Sequence, residues 1–99
     1  MRTVHKYLVP VRDGFGLDLP LGATILDVQA QGELVCLWAL VETDNDMERR
    51  SFILRGTGHP IQDGMELVHA GTFQIGGGAL VFHLFEVMPP ETPDFEFID

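Results

Sequence analysis

The feature that most constrains this chain is an unbroken run of eight apolar residues, Leu34–Val41. Gly32 precedes the run and a polar turn segment, residues 43–46, follows it. The run is too short to cross a bilayer as a helix, and its turn-forming borders are typical of a β-strand that is buried on both faces. We therefore predict that it forms the central strand of a small all-β domain.

Shorter segments on either side of this run alternate apolar with polar residues, the pattern of half-buried strands. A helix over 46–55 is the alternative for one of them, but Phe52-Ile53-Leu54 followed by Gly56 favours a strand. The predicted strands cover 3–11, 17–21, 25–30, 34–41, 48–56, 67–75 and 79–87. Six to seven short strands without a helix predict a small antiparallel β-sandwich or a partly open barrel.

Glycines mark two of the predicted hairpins. Gly32 supplies the positive φ for a tight turn between strand 25–30 and the central run, and we expect Leu26 to share a face with Val28 there. The triple glycine 76–78 predicts a second hairpin. If Gly77 is its pivot, Gly71 lies opposite His83, which predicts that His83 or a neighbouring phenylalanine covers this glycine.

The length of 99 residues is that of one domain, which should bury roughly 65% of its unfolded surface. We assign residues 1–88 to a single β domain and residues 89–99 to an acidic, proline-rich tail that is flexible or loosely docked. Alternatively, the alternation of Phe95 and Phe97 with acids makes the tail a strand that adds to a neighbour's edge. The apolar content of 45% and the predicted sheet edges also predict a homo-oligomer.

The net charge of −9, from 15 acidic and 6 basic residues, opposes binding to the phosphate backbone of nucleic acids. The cations fall into two short windows. These are Arg2, Lys6 and Arg12 near the start and Arg49, Arg50 and Arg55 in the middle. If the two windows are neighbours in space, they form a local positive patch on a negative molecule. The alternative is solvated charge that protects edge strands from unwanted pairing.

Cys36 is the single cysteine, which excludes an internal disulfide and a cysteine-based zinc site. Because it lies within the apolar run, we expect a buried, inert thiol. The N-terminal residues contain no apolar stretch followed by a small-residue cleavage site. The sequence therefore predicts a cytoplasmic protein that does not associate with a membrane.

The residue pattern favours neither catalysis nor metal binding. The four histidines lack the spacing that places two metal ligands side by side on one strand or helix. Ser51, the only serine, has no glycine elbow around it, and Cys36 is expected to be buried. We therefore predict a protein that is not an enzyme and that uses no cofactor and no metal.

The segment Gly56–Gly64 is dense in turn-forming residues and is predicted to be a loop. Its start, Gly56-Thr57-Gly58, can direct successive backbone N–H groups at an anion, although it lacks the lysine and the helix of a P-loop. The alternative is that these glycines serve turn geometry alone. The candidate ligand-binding residues are Arg49, Arg50, Arg55, Thr57, Gly58 and His59.

Several short motifs in the chain resemble those of a known protein family. They are Lys6-Tyr7, Leu19-Pro20-Leu21-Gly22-Ala23, Cys36-Leu37-Trp38-Ala39-Leu40, Gly56-Thr57-Gly58-His59-Pro60-Ile61, Gly71-Thr72-Phe73-Gln74 and Leu80-Val81-Phe82-His83-Leu84-Phe85-Glu86. With them, residues 3–87 resemble a family of small uncharacterised proteins from bacteriophages and their bacterial hosts. The resemblance implies a phage-type accessory protein that acts in the bacterial cytoplasm, and it transfers no catalytic residues.

Residues and resemblance together suggest a non-enzymatic binding protein that sequesters a small anionic host ligand, such as a signal used in antiviral defence. The alternative is an interaction module that docks on a host protein through a sheet edge or through the acidic tail. A third possibility is a component of the virion.

Overall fold

The computed structural model describes residues 1–88, which form seven β-strands and no helix. The strands are β1 (Arg2–Leu8), β2 (Gly14–Pro20), β3 (Thr24–Gln31), β4 (Leu34–Glu42), β5 (Met47–Gly56), β6 (Glu66–Ile75) and β7 (Leu80–Met88). The tail predicted for 89–99 lies outside the described residues. Within those residues, no helix is long and apolar enough to cross a membrane.

The strands form two separate antiparallel sheets. The three-stranded sheet has the order β1-β4-β3, and the four-stranded sheet has the order β2-β5-β7-β6. Their inner faces share one apolar core, so the prediction of an antiparallel β-sandwich is confirmed. The apolar run is β4, which lies between β1 and β3 as the predicted central strand.

The core is built from side chains that alternate along the strands. Leu37 and Ala39 of β4 are fully buried, as is Leu84 of β7, and Phe52 of β5 is 1% exposed. Cys36 is also buried, as expected, but it adjoins Leu37 along β4 and therefore lies on the opposite face, where its Sγ is 3.7 Å from Oε1 of Gln31. The period of two along each strand therefore decides which side chains enter the core.

Of the two predicted hairpins, the first has the expected pairing and the second differs in register. β3 and β4 pair around Gly32, whose φ is 63°, as expected. In the β6–β7 hairpin Gly71 lies opposite Leu84, so the prediction that it faces His83 is wrong by one position. The reason is a four-residue connection, residues 76–79, closed by the Ala79 N–H, which donates to the carbonyl of Gly76 at 3.2 Å.

Gly71 joins the two sheets. A Cβ at this position would lie 2.9 Å from the Cβ of Val28 on β3 and 3.3 Å from its backbone N. Val28 therefore covers the glycine, and not His83 or a phenylalanine as the sequence suggested. We call this contact between the edge strands β3 and β6 the seam; it closes one side of the sandwich.

We expect Gly71→Ala to lower the free energy of unfolding by about 1–3 kcal/mol, because the added methyl group overpacks the seam. Urea denaturation of the purified protein measures this effect. Val28→Gly removes the nearest atom, the Cβ of Val28, so the double variant should lose less stability than the sum of the two single variants. Strict additivity would show that the seam is looser than the contact distances indicate.

Each seam strand contains a β-bulge. The register shifts between Ile25 and Asp27 in β3 and between His69 and Gly71 in β6. The extra residues are Leu26 and Ala70. The first bulge breaks the alternation of β3, so Leu26 is 50% exposed and does not share the buried face of Val28 as predicted.

Candidate functional site

The turn between β1 and β2 and the loop after β5 meet at one corner of the sandwich. They enclose a cavity of about 230 Å³, the corner pocket, which is lined by Arg12, Asp13, Arg55, Gly56, His59 and Phe82 among others. A hollow of about 340 Å³ adjoins it and shares Gly56, His59 and Phe82. The loop that the sequence singled out therefore forms one wall of a concave site.

Arg55 holds this corner together. Its Nη1 donates to the carbonyl oxygens of Asp13 at 2.9 Å and Leu54 at 2.8 Å, and its Nε donates to the carbonyl of Pro60 at 3.3 Å. Within residues 1–88 its Nη2 has no hydrogen-bond partner. Because a guanidinium carries five N–H donors, this edge can still donate to an anion without disturbing the contacts that fix the side chain.

The His59 ring lies directly over the backbone of Gly56. A Cβ on Gly56 would be only 2.9 Å from Cε1 and Nδ1 of the ring, so glycine is needed for this approach. The His59 N–H donates to the carbonyl of Gly56 at 3.0 Å, and Gly58 adopts a φ of 87°. Glycine thus serves turn geometry here, and the same geometry fixes the imidazole at the pocket wall.

Thr57 belongs to a chain of hydrogen bonds on the outer face of the four-stranded sheet. Its Oγ1 lies 2.8 Å from Nε2 of His83, whose Nδ1 lies 3.0 Å from Oγ1 of Thr72. Oγ1 of Thr72 in turn lies 2.9 Å from Nε2 of His69. Sequence reasoning missed this chain, because the one-position register error placed His83 opposite Gly71 and not opposite Thr72.

Arg49 lies on the outer face of β5, away from the corner pocket. Its Nη1 pairs with Oδ1 of Asp18 on β2 at 3.2 Å, and both side chains are more than half exposed. Its guanidinium lies close to Gly16, where a Cβ would be 2.5 Å from Nε. The structure therefore separates Arg49 from Arg55, although both are on the same strand.

Arg50 points into the sandwich and has 9% of its side chain exposed. Its Nε and Nη2 donate to the carboxylate of Glu86, with an Nη2–Oε1 distance of 2.9 Å, and its Nη1 donates to the carbonyl of Ala23 at 2.8 Å. Glu48 Oε2 lies 3.7 Å from Nη1. Arg50 is therefore held by residues of the chain and does not line the corner pocket.

The surroundings of Arg50 keep it charged. The hydrogen bond with Glu86 raises the pKa of Arg50 above its ordinary value; burial opposes this effect, and the negative charges of Glu86 and Glu48 add to it. Glu86 is a further residue that the sequence reasoning missed. The sequence did contain a signal for this pair. Alternation places Glu86 on the inner face of β7 with Leu84, and it places Arg50 on the inner face of β5 with Phe52.

The two cationic windows meet only at the corner pocket, where Arg12 of the first and Arg55 of the second line the same cavity. Arg2 and Lys6 lie on β1 in the other sheet. Of the six candidate residues, Arg55 and His59 line the corner pocket, Thr57 lines the adjoining hollow, and Arg49, Arg50 and Gly58 line neither. Within the described range, no group of three or more histidine, cysteine, aspartate or glutamate side chains is arranged to hold a metal ion.

Comparison with known proteins identifies a family. No curated protein and no solved structure matches the chain. A family model described as "Domain of unknown function (DUF7352)" matches residues 1–94, and so extends past residue 87, where the resemblance from motifs ended. Since the match covers nearly the whole sequence, the chain belongs to the DUF7352 family.

Proposed function

We propose that this protein is a non-enzymatic binding protein whose corner pocket takes a small anionic ligand. The observation that carries the proposal is the convergence of Arg12 and Arg55 on one cavity. On a chain of net charge −9, two arginines against one aspartate in the lining leave a local excess of positive charge that attracts anions. The Nη2 edge of Arg55 supplies donors that are already oriented.

The walls of the pocket suggest what the anionic group is attached to. Phe82 and the imidazole of His59 provide flat surfaces shared by the corner pocket and the adjoining hollow. An aromatic ring of the ligand can stack on such surfaces while its phosphate or carboxylate binds the arginines. The carboxylate of Asp13 can accept a hydrogen bond from a ligand N–H or hydroxyl group. A nucleotide combines these features.

The resemblance to phage proteins supports a biological setting for this activity. In that setting the chain is a phage-type accessory protein in the bacterial cytoplasm, and it sequesters a nucleotide signal used in antiviral defence. Sequestration requires that the protein binds the nucleotide but not that it catalyses a reaction. A site built from arginines, glycines and aromatic rings agrees with this requirement.

The test is titration calorimetry of the full chain against linear and cyclic nucleotides, with native mass spectrometry of freshly purified protein to find a retained ligand. Arg12→Gln should weaken binding at least about tenfold, which corresponds to about 1.4 kcal/mol. Arg12 is the informative position, because within residues 1–88 its side chain makes no hydrogen bond. Arg55→Gln should have a larger effect, because it also removes the hydrogen bonds from Arg55 to the carbonyl groups of Asp13 and Pro60.

Arg49→Gln is the matched control, since Arg49 is an exposed arginine of β5 that lies outside the corner pocket. It should leave the affinity unchanged. Absence of heat from every nucleotide, together with the absence of a retained ligand, would refute the proposal. Equal affinity of the Arg12→Gln and wild-type proteins would instead refute the corner pocket as the site.

A second candidate function is docking on a host protein, or on another copy of the chain, through the edge strand β1. Val4 and Leu8 of this strand are 49% and 60% exposed, which is unusual for large apolar side chains on a sheet edge. Leu8→Lys should then abolish pull-down of the partner, or self-association measured by sedimentation. A Leu8→Lys protein that keeps both would exclude this edge.

A further inference from the structure

A second cavity lies on the opposite side of β5 from Arg49, at the seam between the two sheets. This seam pocket has a volume of about 410 Å³. Arg50 and Glu86 line it, together with Leu26 and Ala70, the extra residues of the two bulges. Nothing in the proposed function uses this cavity.

Two features of the backbone create the seam pocket. At Gly71 the strands β3 and β6 are so close that no side chain fits between them. Immediately beside this contact, both strands bulge, and the gap between them widens into the pocket. Bulges that re-aim residues are over-represented next to functional sites, and here two of them border one cavity. The tight contact at Gly71 fixes the strands on either side of the opening.

The charges around the pocket floor favour a cation over an anion. The Nε, Nη1 and Nη2 atoms of Arg50 all donate to Glu86 or to the Ala23 carbonyl. Two carboxylates flank this single guanidinium, Glu86 in the pocket lining and Glu48 outside it, so the three groups together have a net charge of −1 when all are ionised. This excess of negative charge beside the pocket attracts a cation.

Glu86 is the group that can receive this charge. Its side chain is 7% exposed and lines the pocket, and Arg50 occupies one hydrogen-bond position on each of its oxygens. A carboxylate accepts about four hydrogen bonds, so about two positions remain. Leu26 and Val68, which are 50% and 53% exposed, add apolar surface to the pocket beside the polar side chains of Thr24 and His69.

We propose that the seam pocket binds an organic cation, a primary ammonium or a guanidinium group carried on an aliphatic stem. The cationic head donates to the free positions of the Glu86 carboxylate, and the stem packs against Leu26 and Val68. Such a head can belong to a free amine or guanidine, or to a lysine or arginine side chain of a peptide. The pocket is separate from the corner pocket and prefers the opposite charge, so it does not depend on the proposed function.

The test is an NMR titration of the ¹⁵N-labelled full chain with n-butylguanidinium and n-butylammonium, using n-butanol as the uncharged control. We expect saturable shifts of the amide signals of residues 23–26 and 68–70, with no comparable shifts at 55–59. The same concentrations of n-butanol should cause much smaller shifts. Equal shifts with n-butanol, or no shifts at residues 23–26 and 68–70 with either cation, would overturn the proposal.

Two variants test the site itself. Glu86→Gln keeps the side-chain shape but removes the charge, and should weaken n-butylguanidinium binding at least about tenfold. Because this variant can lose stability, Ala70→Leu serves as the second: it adds three carbons to the pocket wall and should abolish binding while leaving Glu86 in place. Unchanged binding to a folded Ala70→Leu protein would exclude the seam pocket.

A capped arginine dipeptide distinguishes the two sources of the cation. Affinity at least about tenfold higher than that of n-butylguanidinium would assign the pocket to a peptide of a partner protein. Equal affinity would assign it to a free low-molecular-weight cation. Both outcomes retain the charge preference that the proposal states.

Discussion

Replacing Glu86 by alanine is expected to lower the free energy of unfolding by about 3–5 kcal/mol, because it leaves the Arg50 guanidinium buried without its main partner. Only 9% of the Arg50 side chain is exposed, so water that enters the seam pocket replaces the lost carboxylate only in part. Glu48, whose nearest oxygen is 3.7 Å from Nη1, compensates only in part. Urea denaturation measures this loss of stability, and we expect the dependence of the unfolding free energy on urea concentration to stay unchanged.

Two controls separate this effect from a general loss of negative charge. Asp18→Ala removes the partner of exposed Arg49 and should cost about 0–1 kcal/mol, as is usual for a surface ion pair. The double variant Arg50→Met, Glu86→Leu should recover most of the stability lost in Glu86→Ala, because it removes both buried charges and keeps similar volume. A Glu86→Ala protein no less stable than Asp18→Ala would show that the pair is not buried in solution.

Leu37→Ala is expected to lower the free energy of unfolding by about 2–5 kcal/mol through loss of buried apolar contacts and creation of a cavity. Leu37 is fully buried and lies near the middle of β4, the central strand of its sheet. Thermal or urea denaturation measures the change.

Leu34→Ala is the matched control, because Leu34 is on the same strand and 58% exposed. We expect a change within about 0.5 kcal/mol, typical of surface positions. If both variants lost the same stability, the result would contradict the structure, in which Leu37 is buried and Leu34 is exposed.

The two proposed sites use the two faces of one strand. Arg55 follows Arg50 by five residues on β5, so alternation places their side chains on opposite faces. The first lies at the corner with an unused donor edge, and the second is enclosed in the sandwich with its donors engaged. One strand thereby supplies a positive element to the corner pocket and a paired arginine to the floor of the seam pocket.

Local patterns in the sequence were sufficient for the strands and for many of the buried faces. Alternation identified β5 as a strand and placed Arg50 with Phe52 and Leu54, all of which are buried. The apolar run identified β4, and Gly32 identified the β3–β4 turn. These features could be predicted because the side-chain period of a strand and the backbone freedom of glycine act over a few neighbouring residues.

Only the tertiary structure decided which distant residues meet. Arg50 and Glu86 are 36 positions apart, and Arg55 reaches Asp13 across 42 positions. Neither contact follows from a local pattern, because strand order is decided by how the two sheets pack as a whole. The length of the β6–β7 turn decides whether Gly71 faces His83 or Leu84, and the two bulges shift the register by one residue farther along β6 and within β3. The chain by itself therefore determined its strands and turns, whereas both pockets exist only because the packed sandwich brings those strands together.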